Sequence, residues 1–406
     1  MIDRFLKKRV QHIIDNRISI MLLGPRQTGK TTFVKELFKD LPHLEYNFMK
    51  SRLRQRFERD PSLIIDEIDG ADKTFIFIDE VQKVPEVLDN IQILIDGKEK
   101  IFAITGSSAR KLKRKEINLL PGRIVSFRMD SLFWEEYQQR LPISGGRETI
   151  KNILKFGELP QIFELVSTGK NEIASELLYT YVTAYLEQEV RAEALVRNIG
   201  AFSKFLKLAA EESGKIISFR NLSQDVGVPH PTISEYYKIL VDCLITEEIE
   251  SLVPVSQRGK VVQSSKFLFF DTGVANAAAE VLGPAEYPSQ YWGGLFEQWV
   301  GLTILRFIRI NGIKAKLYYW RDYNSREVDW VMEYRDKWLP IEVKWTDMVK
   351  KSSAKHLRYF VDNFPQKTDQ GYIIFTGDNP VRITDQVTAV PYFDLVNRVL
   401  KPFTRG

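Results

Sequence analysis

Residues Ser19–Thr32, SIMLLGPRQTGKTT, decide the fold of this chain. The apolar run Ser19–Leu23 reads as a buried strand. It breaks at Gly24-Pro25-Arg26-Gln27-Thr28-Gly29-Lys30-Thr31, a GxxxxGK[ST] loop that opens a helix starting near Thr32. The chemistry calls for these residue types. Gly24 and Gly29 let backbone N–H groups turn toward phosphate oxygens, Lys30 reaches the β/γ-phosphates, and Thr31 holds Mg²⁺. The helix N-terminus adds partial positive charge. The segment from Gly24 to Thr32 is therefore expected to cradle the phosphates of ATP.

Farther along, Phe75-Ile76-Phe77-Ile78-Asp79-Glu80 is an apolar strand ending in two carboxylates, the form of a Walker B element. Asp79 is assigned to Mg²⁺ and Glu80 to polarising the attacking water.

At 406 residues the chain is too long for one ordinary core, so two to four domains are expected. With 44% hydrophobic and 27% charged residues it has material to bury and is not disordered. A net charge of +5 is compatible with nucleic acid without requiring it. Cys243 is the only cysteine, which excludes an intramolecular disulfide and a cysteine-rich metal site. The first residues, MIDRFLKKRVQHIID, read as an amphipathic helix with Ile2, Phe5, Leu6, Val10 and Ile13 on one face, not as a cleavable signal. No apolar run approaches the ~20 residues that span a bilayer. A cytoplasmic protein is the simplest expectation.

From the start to about Tyr137, helix and strand alternate. Strands are expected at Leu44–Phe48 and at Ile101–Ile104, the latter ending in Thr105-Gly106-Ser107-Ser108. That order implies a mostly parallel sheet with ligands at the carboxyl ends of its strands, beside Thr105 or the serines. A strand ending TGSS, then a basic segment, LPGR and LFWEEY, together resemble the AAA-type ATPases that carry a nuclease-like region at their carboxy terminus, a prokaryotic family. The resemblance implies a γ-phosphate sensor at Ser107, with Thr105 as runner-up. It also implies a possible arginine finger or phosphate-sensing residue at Arg123, which needs a homo-oligomer if it acts in trans. The helical stretch after Pro142 becomes a lid over the nucleotide on the same resemblance.

Between these elements lies Arg110-Lys111-Leu112-Lys113-Arg114-Lys115, either a solvated loop or a contact to a nucleic acid backbone. Residues 201 to 283 have another rhythm: helices at Ala201–Glu212, Phe219–Val226 and His230–Leu240, with a tight turn at Gly227 and a strand pair after Ile245. This is the plan of a winged helix-turn-helix. Thr232, Ser234, Tyr237 and Lys238 are expected to face DNA, with Arg258 and Lys260 at the wing tip. The alternative is a module that only bridges domains or subunits.

A second chemical site lies in the last 120 residues. Glu327-Val328-Asp329-Trp330-Val331-Met332-Glu333-Tyr334 and Trp338-Leu339-Pro340-Ile341-Glu342-Val343-Lys344-Trp345 both alternate with period two, which predicts a hairpin. A two-residue loop at Arg335-Asp336 sets Asp329 opposite Glu342 and Glu327 opposite Lys344. Val328, Trp330, Met332, Ile341, Val343 and Trp345 then form the buried face, and the carboxylates gather on the other. Opposed like charges need compensation, which a divalent metal supplies. Asp329, Glu342 and the Val343 carbonyl suit Mg²⁺ or Mn²⁺, with Lys344 beside the attacking water. The alternative is a charged solvent face. The pattern resembles the PD-(D/E)xK nuclease motif, with Asp329 as first acid, Glu342-Val343-Lys344 as ExK, and Glu297 as the acid of the preceding helix. Glu297 falls on the helical stripe of Gly301, Ile304 and Ile308, and Val328 stands where the motif's proline is usual.

The chain is thus expected to be an α/β multidomain protein. Its parts are an AAA-type P-loop core (1–140), a helical lid (141–200), a winged helix-turn-helix (201–283) and a restriction-endonuclease-like α/β domain (284–406). The expected function is ATP hydrolysis coupled to DNA binding and metal-dependent cleavage. The alternative is a nucleotide-gated oligomeric switch or DNA-binding regulator with a non-catalytic carboxy-terminal domain.

Overall fold

The computed structural model describes residues 2–97, 99–108, 122–141, 147–186, 198–254, 262, 264–283 and 285–405. They divide into two compact units. The first comprises residues up to Leu132 together with Lys238–Ile245, and the second the described residues from Phe133 on, apart from that segment.

The first unit is built on five strands: β1 (Ser19–Leu23), β2 (His43–Asn47), β3 (Phe75–Asp79), β4 (Ile101–Gly106) and β5 (Ile124–Arg128). Their order is β2-β3-β4-β1-β5 and each neighbouring pair is parallel. The central strands β3, β4 and β1 are buried on both faces, as continuous apolar runs in a parallel sheet require. One apolar cluster joins Ile76, Ile78, Phe102 and Ile104 to Leu88 and Ile91 of the helix Val87–Asp96. Another joins Ile20, Leu22, Phe77 and Ala103 to Val34 and Leu37 of the helix Lys30–Leu37 and to the first helix, Leu6–Asp15. In that first helix the buried stripe is Leu6, Val10 and Ile14. Phe5 is exposed and Ile13 half-buried, because the i, i+4, i+8 row, one position round from the expected face, meets the sheet.

Farther along the chain, a helix Ile199–Glu211 is followed by Phe219–Val226 and His230–Asp242, the last of which passes from the second unit into the first at Lys238, and then by β6 (Thr246–Ile249) and β7 (Lys266–Phe269), which pair antiparallel in the second unit. Ser218 caps the second of these helices, and Gly227 ends it at φ 82°, the left-handed turn that lets the chain reverse. Tyr237 does not face outward. It is buried, stacked on Phe267 at 4.1 Å and on Phe219 at 5.5 Å, because it lies one turn beyond Ile233 on the helix's inner stripe. Ser234 and Lys238 are exposed and Thr232 is half-buried. Arg258, Lys260 and the basic run from Arg110 to Lys115 lie outside the described residues.

The remaining strands are β8 (Lys316–Arg321), β9 (Glu327–Tyr334), β10 (Lys337–Lys344), β11 (Gly371–Phe375), β12 (Val381–Arg382) and β13 (Val387–Pro391), in the order β12-β13-β11-β10-β9-β8. The β9–β10 hairpin has the expected two-residue loop: Lys337 pairs with Tyr334 and Ile341 with Trp330, and Arg335 and Asp336 both have positive φ, 47° and 64°. Its polar face is not a solvent face. Asp329 is 9% and Glu342 6% exposed, since helices pack on the hairpin. Trp330 lies against Gly301 of the long helix Ser289–Asn311, where a Cβ would come within 2.7 Å of the indole. Trp338 and Trp320 pack on Phe360 and Phe364 at the helix Lys355–Asn363.

The helical stretch expected as a lid, with helices Arg147–Phe156, Pro160–Ser167 and Asn171–Thr180, belongs to the second unit together with the carboxy-terminal sheet. The reason is a buried knot. Glu158 pairs with Arg306 of the long helix, and its Oε1 accepts from Tyr137 Oη (2.6 Å) and Trp299 Nε1 (3.2 Å). The Glu158 N–H donates to Asp271 Oδ2 at 2.8 Å. Gly157, at φ 75°, admits this contact, since a Cβ there would meet Asp271 Oδ1 at 1.8 Å.

Candidate functional site

The phosphate loop leaves β1 at Gly24, whose N–H donates to Gly106 O at 3.2 Å. Only glycine is admitted, because a Cβ would stand 2.1 Å from Met129 O. Gln27 and Gly29 have positive φ (61° and 92°), so successive N–H groups turn inward, the concavity that binds anions. Gly24, Pro25, Thr28 and Lys30 are buried, Arg26, Gly29 and Thr31 half-buried, Gln27 and Thr32 exposed. The Lys30 ammonium donates to Gly24 O (2.9 Å) and Pro25 O (2.8 Å). Exchanging these neutral acceptors for phosphate oxygens strengthens its bonds.

Asp79, at the end of β3, accepts from Thr31 Oγ1 at 2.9 Å, Thr105 Oγ1 at 2.6 Å and Asn47 Nδ2 at 3.1 Å. Burial raises the pKa of its carboxyl, opposed by the hydrogen bonds from Thr105 and Thr31. Glu80 leaves the strand at φ 59°, a left-handed conformation that is costly for glutamate and turns its side chain back over the site. Its carboxylate accepts from Ser107 Oγ at 2.9 Å and from Gln82 Nε2, and Gln82 Nε2 also donates to Ser107 at 2.8 Å. The two carboxylates are thus tied to different partners, Asp79 to Thr105 and Glu80 to Ser107.

Arg123 is not brought to this loop. Ile124 pairs with Ser19 and Arg128 with Leu23, so Arg123 lies at the edge where the strands begin, ~16 Å along the sheet from the loop. It is half-buried and pairs with Asp96. At the other end of β5, Arg128 pairs with Leu23 at the start of the loop and is held by Asp130 at 3.1 Å. Sequence reading also missed Arg4, which donates to Thr28 O in the loop (2.9 Å) and to Asp130 O (2.8 Å). Nothing in the local pattern marks Arg4 or Gln82. Asn47 was accessible as a polar residue ending a strand that points at the site.

In the second unit, the hairpin and the long helix bring Glu297, Asp329, Glu342 and Lys344 into one cluster. Glu297, Glu327 and Asp329 each offer an oxygen within 4.8 Å of the others. The Val343 N–H donates to Asp329 Oδ2 at 2.7 Å, and Lys344 Nζ to Glu342 Oε1 at 2.6 Å. Burial, then Glu342 and Glu297, push the Asp329 carboxyl well above the carboxylate range. Glu342 is raised by burial, which outweighs its bond to Lys344. Burial opposes the charge on Lys344, but Glu342 and Asp329 outweigh it and raise its pKa. Glu342 Oε2 is buried and has no hydrogen-bond partner. An orphaned carboxylate oxygen is costly unless something binds it, so this set fits a hard divalent cation. Sequence reading missed Lys266 of β7, whose ammonium lies 2.9 Å from both Glu297 Oε1 and Glu327 Oε1. A lysine opening an apolar strand gave no sign of a partner about thirty and sixty residues away.

Comparison with known proteins finds a family match over the segment that carries the first site. Residues 16–138 match the AAA domain family, and with the geometry above this part of the chain is an AAA-type P-loop ATPase domain. Residues 147–284 and 292–395 match two domains of unknown function, DUF8612 and DUF4143. The first of these runs through the boundary expected at residue 200. An uncharacterized protein of Mycobacterium tuberculosis is 22% identical over 389 residues, 94% of this chain and 82% of its own length. Another, of Haemophilus influenzae, is 19% identical over 89% of this chain and 91% of its own. Among solved structures, a Walker-type ATPase of Pyrococcus abyssi superposes with a TM-score of 0.48 at 11% identity, covering 68% of this chain and 96% of that one. Among the described residues no helix is long and apolar enough to cross a membrane.

Proposed function

We propose that this chain hydrolyses ATP and uses the nucleotide cycle to act on DNA, which it cuts at the acidic cluster of its second unit. The observation that carries the reading is the convergence of Lys30, Thr31, Asp79, Glu80 and Ser107 from the ends of two strands and one loop. Lys30 and the loop amides bind the phosphates, while Thr31 and Asp79 would hold Mg²⁺, which neutralises phosphate charge when bound. Glu80, released from Gln82 and Ser107, takes the proton of the attacking water, and Ser107 is then available to the γ-phosphate. Arg123 serves a neighbouring copy in a homo-oligomer, since within its own chain it sits at the far edge.

The helices Ile199–Glu211, Phe219–Val226 and His230–Asp242 with β6 and β7 are read as a winged helix-turn-helix that contacts DNA through Thr232, Ser234 and Lys238. In the nuclease-like cluster Asp329 and Glu342 would hold Mg²⁺ or Mn²⁺, which polarises a phosphodiester and lowers the pKa of water when bound. Lys344 orients the attacking water and Glu297 accepts a hydrogen bond from it. Incubating the protein with ATP, Mn²⁺ and a panel of single- and double-stranded DNA and RNA tests this, following phosphate release and strand length together. Cleavage that persists undiminished in both D329A and K344A would remove the nuclease assignment. A second reading, a nucleotide-gated switch with a silent carboxy-terminal site, is favoured by one observation: Lys266 already neutralises Glu297 and Glu327.

A further inference from the structure

Lys266 is only 2% exposed, a costly position for an ammonium unless it is fully paired. Its Nζ lies 2.9 Å from Glu297 Oε1 and from Glu327 Oε1, and 5.0 and 5.2 Å from the ring centroids of Tyr319 and Trp330. The oxygens of Glu297, Glu327 and Asp329 approach within 4.8 Å of one another, a spacing that suits an ion. Two of those three residues are already bound to a cation that the chain itself supplies. Phosphodiester-cutting sites that use two metals place them ~3.5–4 Å apart, between shared carboxylates. Here Lys266 Nζ lies between two of the carboxylates that such a pair would share.

What is left over is specific. Glu342 Oε2 is buried and without a partner, next to Asp329, whose Oδ2 is bound by the Val343 N–H. The charges agree: Glu297, Glu327, Asp329 and Glu342 face Lys266, Lys344 and, at 3.5 Å from Glu327, Arg321. Four carboxylates against three cations leave attraction for one further cation, and little for two.

We infer that Lys266 is a resident cation standing in for a second metal, so that the cluster binds one divalent ion, at Asp329 and Glu342. The inference rests on the reading of these carboxylates as metal ligands and goes beyond it in fixing the number of ions and the residue that sets it. Lys266 is accordingly a positioning residue: it holds Glu297 and Glu327 in place without touching substrate.

The test is a Mn²⁺ titration of nucleotide-free full-length protein by calorimetry and electron paramagnetic resonance, with D329N measured alongside to subtract ions bound elsewhere. One Mn²⁺ per chain that disappears in D329N is expected. In K266M the expected count rises to two, with the dipolar broadening of a close Mn²⁺ pair. Two ions in the wild type, none in the wild type, or a single ion in folded K266M would each overturn the inference. The wild-type count decides even where K266M does not fold. Strand cleavage scored on the same samples separates the two claims: one bound ion without cutting sinks the nuclease reading alone, and two bound ions with cutting sink this inference alone.

Discussion

Replacing Glu158 by glutamine should strongly destabilise the second unit while changing no atom of either candidate site. Glu158 and Arg306 are each 2% exposed, so neither charge is shared with water. The amide keeps an oxygen for Tyr137 Oη and Trp299 Nε1 and its backbone N–H for Asp271, but it turns an NH2 donor toward the Arg306 guanidinium, so the counterion and the acceptor are lost together. Leaving the Arg306 guanidinium buried without its counterion costs ~3–5 kcal/mol. Against the ~5–15 kcal/mol that stabilises a typical native protein, this is a large fraction. E158A should lose more, since the hydroxyl of Tyr137 and the indole N–H of Trp299 each lose an acceptor at ~1–3 kcal/mol. The assay is urea unfolding followed by tryptophan fluorescence, because Trp299 and Trp134 lie 5.9 Å apart in this core and report its opening. The double variant E158Q/R306M removes both charges and should regain at least half of the loss. A loss below ~1 kcal/mol in E158Q, or a double variant no better than the single, would refute the argument that an uncompensated charge is what costs.

Other outcomes follow from the same geometry. K30A should lose nucleotide affinity with its fold intact, checked by calorimetry and circular dichroism, since the ammonium bonds the loop carbonyls of Gly24 and Pro25 and its removal leaves Thr31 and Asp79 in place. E80Q should bind ATP and turn over at least ~100-fold more slowly, as loss of a general base implies, which phosphate release measures. Exchanging Arg335-Asp336 for Asn-Gly should raise thermal stability by ~1 kcal/mol, because both positions have positive φ, as a two-residue hairpin turn with that pair favours. The pH dependence has a defined sign. Asp329 and Glu342 have raised pKa values in the folded state, so between the usual carboxylate range near ~4 and those raised values the native state binds more protons than the unfolded one. Stability of the metal-free second unit therefore falls as pH rises through this window, and D329N should flatten the fall in melting curves taken across it.

Much of the candidate site could be read from the chain, where the determinant was local. The order Ser19–Leu23, phosphate loop, helix needs only an apolar run and two glycines, and the β9–β10 register needs only period-two alternation and a two-residue loop. The placement of Glu297 on the stripe with Gly301 followed from helical periodicity, and the Gly301–Trp330 contact is what seats that stripe against the hairpin. The hairpin's surroundings were not legible in this way. Alternation states which residues share a face, but not whether another layer covers it, and helices from both sides of the sequence cover this one.

By itself, then, the sequence determined the parallel ATPase core, its phosphate loop and the residues that end its strands, because backbone geometry and periodicity are properties of contiguous residues. The tertiary structure alone decided that Gln82 and Ser107 hold Glu80, that Arg4 laces the loop, that Arg123 lies at the far edge, that Tyr237 is core, and that Lys266 enters the acidic cluster. Each of these is a pairing of charges, polar groups or rings set by how packed elements meet. Such pairings obey distance in space, which chain position does not encode.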